Sequence, residues 1–142
     1  MIAVDTNILV YALRQDSPFH QGALTAMLSL AQDPAPWGLP WPCVHEYLAI
    51  ATHPRIYDPP TPTDTALRAL DVWVTSPGCR LLAEGPGYWA RLQDMIQNTA
   101  CVGPKVHDAR IAALCLHHGV NELWTADRDF NRFTEVRTRN PC

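Results

Sequence analysis

The sequence predicts an α/β protein, a central parallel sheet of about four to five short strands flanked by helices, in one domain over residues 1–142. Three observations carry this reading. Short apolar runs alternate with longer segments whose apolar residues recur every three or four positions. The stretches between those runs are long enough for helical crossovers, which make neighbouring strands parallel and the connections right-handed. Hydrophobic residues make up 47% and charged residues 18% of the 142 positions, a globular composition able to bury a core without staples.

In order, Ile2–Asp5 reads as a buried strand, and Thr6 or Asn7 then caps a helix through Arg14. His20–Gln32 carries Ala23, Met27, Leu30 and Ala31 at helical spacing. Pro34, Pro36, Pro40 and Pro42 forbid a long helix and leave room for a short strand or extended loop. Val44–His53 returns to helix until Pro54, and Pro59, Pro60 and Pro62 mark an exposed loop. Thr63 is placed to cap a helix through Val74, with Leu67, Leu70 and Val74 on one face. Cys79–Ala83 reads as a strand, and Gly85-Pro86-Gly87 as a turn before a helix from Tyr88 to Asn98. After Gly103-Pro104 comes a helix over Val106–His118, closed by Gly119. Glu122–Thr125 is a strand, Asp129–Phe133 a short helical turn and Thr134–Thr138 a last strand.

Composition excludes several classes of function. A net charge of −3 argues against a basic protein that coats nucleic acid. If four acids sat on cations, however, the remaining surface would be slightly basic. Of the 11 cationic residues only Lys105 is lysine; the arginine bias suits bidentate phosphate contacts, and a GC-rich genome produces the same bias. Five cysteines (Cys43, Cys79, Cys101, Cys115, Cys142) without a CxxC pair support neither a disulfide framework nor a zinc ribbon. Cys115 and His118, one turn apart, read as a core thiol beside a helix-end histidine. No apolar run reaches the ~20 residues of a membrane span, and no secretory signal opens the sequence, so a cytoplasmic location is expected.

In an open parallel sheet, sites form beyond the carboxyl ends of the strands. Asp5 ends the first predicted strand, and Asp127 follows the strand Glu122–Thr125. Glu46 and Asp108 fall in the first turns of helices that begin at the same edge. Four carboxylates from distant parts of the chain are therefore expected to converge. Like charges in a cleft raise one another's pKa, and divalent cations relieve the cost. All-oxygen ligation points to Mg²⁺ or Mn²⁺, whose chemistry in such sites is activation of water and phosphate transfer. Each acid has a bland alternative as a helix cap or dipole partner, and it is the joint placement that argues for function.

Four blocks in order, Val4-Asp5-Thr6-Asn7-Ile8-Leu9, Glu46, His107-Asp108-Ala109-Arg110-Ile111-Ala112 and Trp124-Thr125-Ala126-Asp127-Arg128-Asp129-Phe130, resemble the PIN-domain ribonucleases, most nearly the VapC-type toxins of bacterial toxin–antitoxin pairs. The resemblance covers essentially the whole chain. It implies the three-layer PIN-like fold and a Mg²⁺- or Mn²⁺-dependent endoribonuclease. Asp5, Glu46, Asp108 and Asp127 match the acidic quartet, with Asp5 and Asp108 most directly on metal. Thr125 matches a hydroxyl that holds the site together, and Asn7 a residue that hydrogen-bonds the carboxylates. Asp129 is a fifth acid or a cap. Hydrolysis is expected to leave 5′-phosphate and 3′-hydroxyl ends without a protein nucleophile.

The same resemblance implies an RNA substrate, a cognate VapB-type antitoxin whose C-terminal segment blocks the acidic site, and a homodimer. Trp37, Trp41, Trp73 and Tyr88 include candidates for an apolar groove, against core packing for each. Arg14, Arg110, Arg128 and Arg132 are candidates for holding RNA phosphates. The principal rival is an intact PIN fold that binds RNA or a partner without cutting, and the complete quartet argues against it. A phosphotransferase of the haloacid dehalogenase type needs an aspartate where this chain has Asn7, and a receiver domain needs an N-terminal acidic pair that is absent.

Overall fold

A computed structural model describes all residues from Met1 to Cys142. In chain order the elements are β1 (Ile2–Val4), α1 (Thr6–Leu13), α2 (His20–Gln32), β2 (Trp37–Pro40), α3 (Trp41–Ala51), α4 (Thr63–Val74), β3 (Cys79–Leu82), α5 (Tyr88–Thr99), α6 (Lys105–His117), β4 (Glu122–Trp124), a 3₁₀ turn (Arg128–Arg132) and β5 (Thr138–Arg139). The five strands form one parallel sheet in the order β3-β2-β1-β4-β5. Ile2 of β1 pairs with Trp37 on one side and Glu122 on the other. The chain thus starts at the centre of the sheet, builds outward through β2 and β3, then returns to add β4 and β5 on the other side. The carboxyl ends of β1 and β4 flank the point where the winding reverses, which is where an open α/β sheet leaves a crevice.

Six helices flank the sheet, with α1 against α2 and α3, α3 against α4, and α5 against α6. A core of 30 buried residues runs through it, including Trp37, Tyr47, Phe130 and Phe133. Strand β2 is internal, so it is buried along its whole length, and the Tyr47 hydroxyl donates to the Ala66 carbonyl at 2.9 Å to tie α3 to α4. No helix is long and apolar enough to cross a membrane. All five cysteines are free, Cys115 is fully buried and a His118 ring nitrogen meets the Ala83 carbonyl at 2.7 Å, as expected of a core thiol and a helix-end histidine.

Several boundaries differ from the sequence reading. Helix α3 begins at Trp41, not Val44, because Pro42 occupies its second position, where a missing N–H costs nothing. Glu46 is therefore in the second helical turn, not the first. Asp5, and not Thr6 or Asn7, caps α1, its carboxylate accepting from the Thr6 amide at 2.8 Å. Pro62 stands at the cap of α4 and Thr63 is its first helical residue. The last strand is Thr138–Arg139 instead of Thr134–Thr138: Phe133 and Val136 are spent in the core, where Val136 N–H closes a turn on the Phe133 carbonyl. Gly119 does end α6, with φ of +68°, and Val120 N–H returns to the Cys115 carbonyl.

Candidate active site

Two neighbouring strand ends anchor the site. Asp5 follows β1, and its amide donates to the Trp124 carbonyl of β4 at 3.0 Å; Thr125 follows β4, and its amide donates to the Arg139 carbonyl of β5 at 2.9 Å. Ladder bonds therefore fix both backbones, and both side chains are buried. Asp5 Oδ1 accepts from Thr6 N–H at 2.8 Å and faces the Cys43 thiol at 3.7 Å. Asp5 Oδ2 accepts from the Thr125 hydroxyl at 2.7 Å and from Asn7 Nδ2 at 2.8 Å. The Thr125 oxygen accepts in turn from the Asp127 amide at 3.0 Å, and Asn7 Oδ1 from the Ala126 amide at 2.9 Å. Thr125 and Asn7 thus lock the Asp5 carboxylate to the turn that carries Asp127.

The other acids arrive from helices. Glu46 projects from α3 and its Oε2 accepts from the Thr6 hydroxyl at 3.3 Å. Asp108 lies in the first turn of α6, half-buried. Asp5, Glu46, Asp108 and Asp127 together line one cleft of about 220 Å³, along with Thr6, Asn7 and the apolar Ile111 and Phe130. The tightest cluster within this region is a different trio: carboxylate oxygens of Asp108, Asp127 and Asp129 lie within 4.8 Å of one another. Asp127 also caps the 3₁₀ turn, accepting from Asp129 N–H at 2.8 Å.

The electrostatics show what this assembly lacks. Burial pushes the Asp5 carboxyl up from 3.8 to about 6, opposed by its hydrogen bonds from Thr125 and Thr6 and reinforced by the charge of Glu46. Burial, and then the charge of Asp127, raises Asp108. Asp129 moves the other way, because Lys105 donates to it and pairs with it. A crevice that holds two carboxylates of raised pKa, Asp5 and Asp108, is short of positive charge. A hard divalent cation fits the donor set, which is made of oxygen alone.

Residues 2–136 match the family model described as PIN domain. The chain belongs to the PIN-domain family. Ribonuclease VapC48 of Mycobacterium tuberculosis is 32% identical over 137 residues, covering 96% of this chain and 94% of that protein, which places the chain among the VapC ribonucleases. Among solved structures, VapBC2 from Rickettsia felis, bound to a DNA fragment from their promoter, superposes with a TM-score of 0.68 at 16% identity over 99% of this chain and 98% of that one. Mycobacterium tuberculosis VapC20, described as a sarcin-ricin loop cleaving toxin, gives 0.69 at 14% identity over 92% and 93%. At those identities the structural matches speak for the fold.

Around the cleft of this PIN domain the cations are differently employed. Arg14 is braced by Asp16, by the Pro59 carbonyl at 2.9 Å and by the Tyr57 ring at 4.1 Å, and only 10% of its side chain is exposed. Arg110 pairs with Glu84 at 3.0 Å. Arg128 and Arg132 are exposed on the 3₁₀ turn. Of the aromatic candidates for a groove, Trp37, Trp73 and Tyr88 are buried, and Trp41 alone is exposed, beside His45. The sequence reading missed Lys105, which donates to Asp129 of the carboxylate trio; its only signal was its place one turn before Asp108 in α6.

Proposed function

We propose that this PIN domain is a Mg²⁺- or Mn²⁺-dependent endoribonuclease of the VapC toxin type. It hydrolyses RNA phosphodiesters to 5′-phosphate and 3′-hydroxyl ends and is neutralised by a cognate VapB-type antitoxin. The observation that carries the reading is the convergence of Asp5, Glu46, Asp108 and Asp127 on one cleft at the reversal of the sheet. Membership of the family of VapC48 supports the substrate class, and the VapBC2 assembly supports an antitoxin partner. Asp5 and Asp108 hold the cation, with Glu46 and Asp127 completing its surroundings. When bound, a divalent cation supplies charge neutralisation and lowers the pKa of water at the phosphate. The chain supplies the rest. Thr125 and Asn7 keep Asp5 in one orientation, so its ionised oxygens are preorganised. Water attacks phosphorus in line as the P–O3′ bond breaks; a proton leaves the water and O3′ gains one, so no protein nucleophile is consumed. Homodimerisation belongs to the same reading, and sedimentation of the purified chain tests it.

The test is cleavage of total bacterial RNA with Mg²⁺, with chelator, and by Asp108→Asn. Metal-dependent cuts bearing 5′-phosphates that fall by at least about 10²-fold in the variant are expected. A 2′,3′-cyclic phosphate product overturns the mechanism, because it makes the ribose 2′-hydroxyl the nucleophile. A folded, metal-binding, antitoxin-free protein that does not cut is instead a binding module.

A further inference from the structure

We propose that Lys105 is the cation that meets the scissile phosphate, and that Asp129 is its positioning residue and not a metal ligand. The inference rests on the ribonuclease reading above and assigns two residues to that site.

Asp129 belongs to the tightest carboxylate trio, which on proximity alone would make it a ligand. Its surroundings say otherwise. Its Oδ2 already accepts from the Lys105 ammonium, its side chain is 52% exposed, and it is not among the residues lining the cleft, whereas Asp108 and Asp127 are. A carboxylate already neutralised by an ammonium has less to give a second cation. Lys105, by contrast, has much to give. It is the first residue of α6, one turn before Asp108, and is the only lysine in the chain. The charges of Asp129 and Asp108 both act on it and Arg132 stands nearby, so the ammonium lies within electrostatic reach of the Asp108 carboxylate with 38% of its side chain exposed.

An RNA phosphate approaching four carboxylates is repelled, and the rim must supply a fixed positive charge. Arg14 is consumed by its own loop and Arg110 by Glu84, and Arg128 and Arg132 lie exposed on the 3₁₀ turn; Lys105 is the cation whose ammonium is held in place by a carboxylate of the Asp108, Asp127 and Asp129 trio. A lysine ammonium carries three donors and no acceptor; Asp129 takes one and leaves two for a non-bridging phosphate oxygen. Negative charge on those oxygens grows in the transition state, so a pre-placed ammonium acts on turnover more than on ground-state binding.

The experiment measures single-turnover cleavage and, separately, Mn²⁺ affinity by calorimetry for Lys105→Ala, Lys105→Arg, Asp129→Asn, the Lys105→Ala/Asp129→Asn double variant and Asp108→Asn. Lys105→Ala is expected to slow cleavage on the order of 10²-fold with a much smaller change in KM, to bind Mn²⁺ at least as well as wild type, and to recover in part with methylammonium or as Lys105→Arg. Asp129→Asn should also slow cleavage while keeping its Mn²⁺ affinity, and the double variant should be no slower than Lys105→Ala. Loss of Mn²⁺ binding in Asp129→Asn to the extent seen in Asp108→Asn makes Asp129 a ligand and overturns the assignment. Wild-type cleavage by Lys105→Ala overturns the role of Lys105. A wild type that does not cut removes the ribonuclease reading and the role of Lys105 with it, while the Mn²⁺ series still decides Asp129.

Discussion

Asp5 meets opposing demands. Its position after β1 buries it, and burial favours the neutral acid; its four hydrogen-bond partners, Thr6, Cys43, Asn7 and Thr125, favour the carboxylate. Burial prevails, and the folded-state pKa is about 6 against 3.8. Between those values the folded protein holds a proton that the unfolded chain has released. Stability from this group is therefore highest below pH 3.8 and falls as pH rises, the full cost of roughly 3 kcal/mol being reached above pH 6. In metal-free protein the melting temperature of wild type minus that of Asp5→Asn should fall by roughly 10 °C from pH 4 to pH 7.5. Parallel melting curves for the two proteins across that range would remove the argument. The position of Asp5 was legible because an apolar run followed by an acid and a helix needs little context. Lys105 was not, since nothing local distinguishes a lysine that braces an acid 24 positions away from a solvated one.

Element boundaries were less legible than element order, and the reason is tertiary. Four prolines over residues 34–42 left the choice between loop and strand open, and β2 became an internal strand because β1 and β3 both pair with it. Pro42 looked like a barrier to α3 and is part of its first turn, which moved Glu46 from the first turn to the second. The connection into β3 shows the same dependence. Gly78 carries the carbonyl that accepts from Trp37 N–H at 2.9 Å, and a Cβ added there would lie 2.2 Å from the Ala35 carbonyl oxygen and 3.1 Å from that of Asp33. Both obstacles are backbone, so the turn and the start of β2 must move. Gly78→Ala is expected to cost about 2 kcal/mol or more. Gly85→Ala, whose nearest neighbour is the end of the His117 side chain at 3.4 Å, should cost much less. Denaturant unfolding of the two variants decides it, and equal midpoints would show that the Gly78 turn is free to shift.

At the scale of the whole molecule, alternation of strands and helices predicted a parallel sheet, but strand order is a property of long-range packing that no local pattern encodes. The order β3-β2-β1-β4-β5 is what lays Asp5 beside Thr125 and makes one crevice from four distant segments. The same construction brings a buried carboxylate, Asp5, together with the half-buried Asp108 in one crevice, so a cation held there would be thermodynamically linked to folding. A divalent cation at about 100 times its Kd should stabilise the native state by about 2.7 kcal/mol, or roughly 9 °C in melting temperature for a chain of this size. The sign of the pH dependence follows from Asp5 and Asp108, both of which hold protons more tightly in the folded state than in the unfolded chain. At pH 5 the cation must displace a proton from Asp5, and at pH 7.5 that carboxyl is already ionised. The Mn²⁺-induced shift at a fixed cation concentration is therefore expected to be several degrees larger at pH 7.5 than at pH 5, and to be mostly lost in Asp108→Asn at either pH. Differential scanning fluorimetry measures both. A shift that is independent of pH and unchanged in Asp108→Asn would mean that the cation stabilises the protein from some other surface.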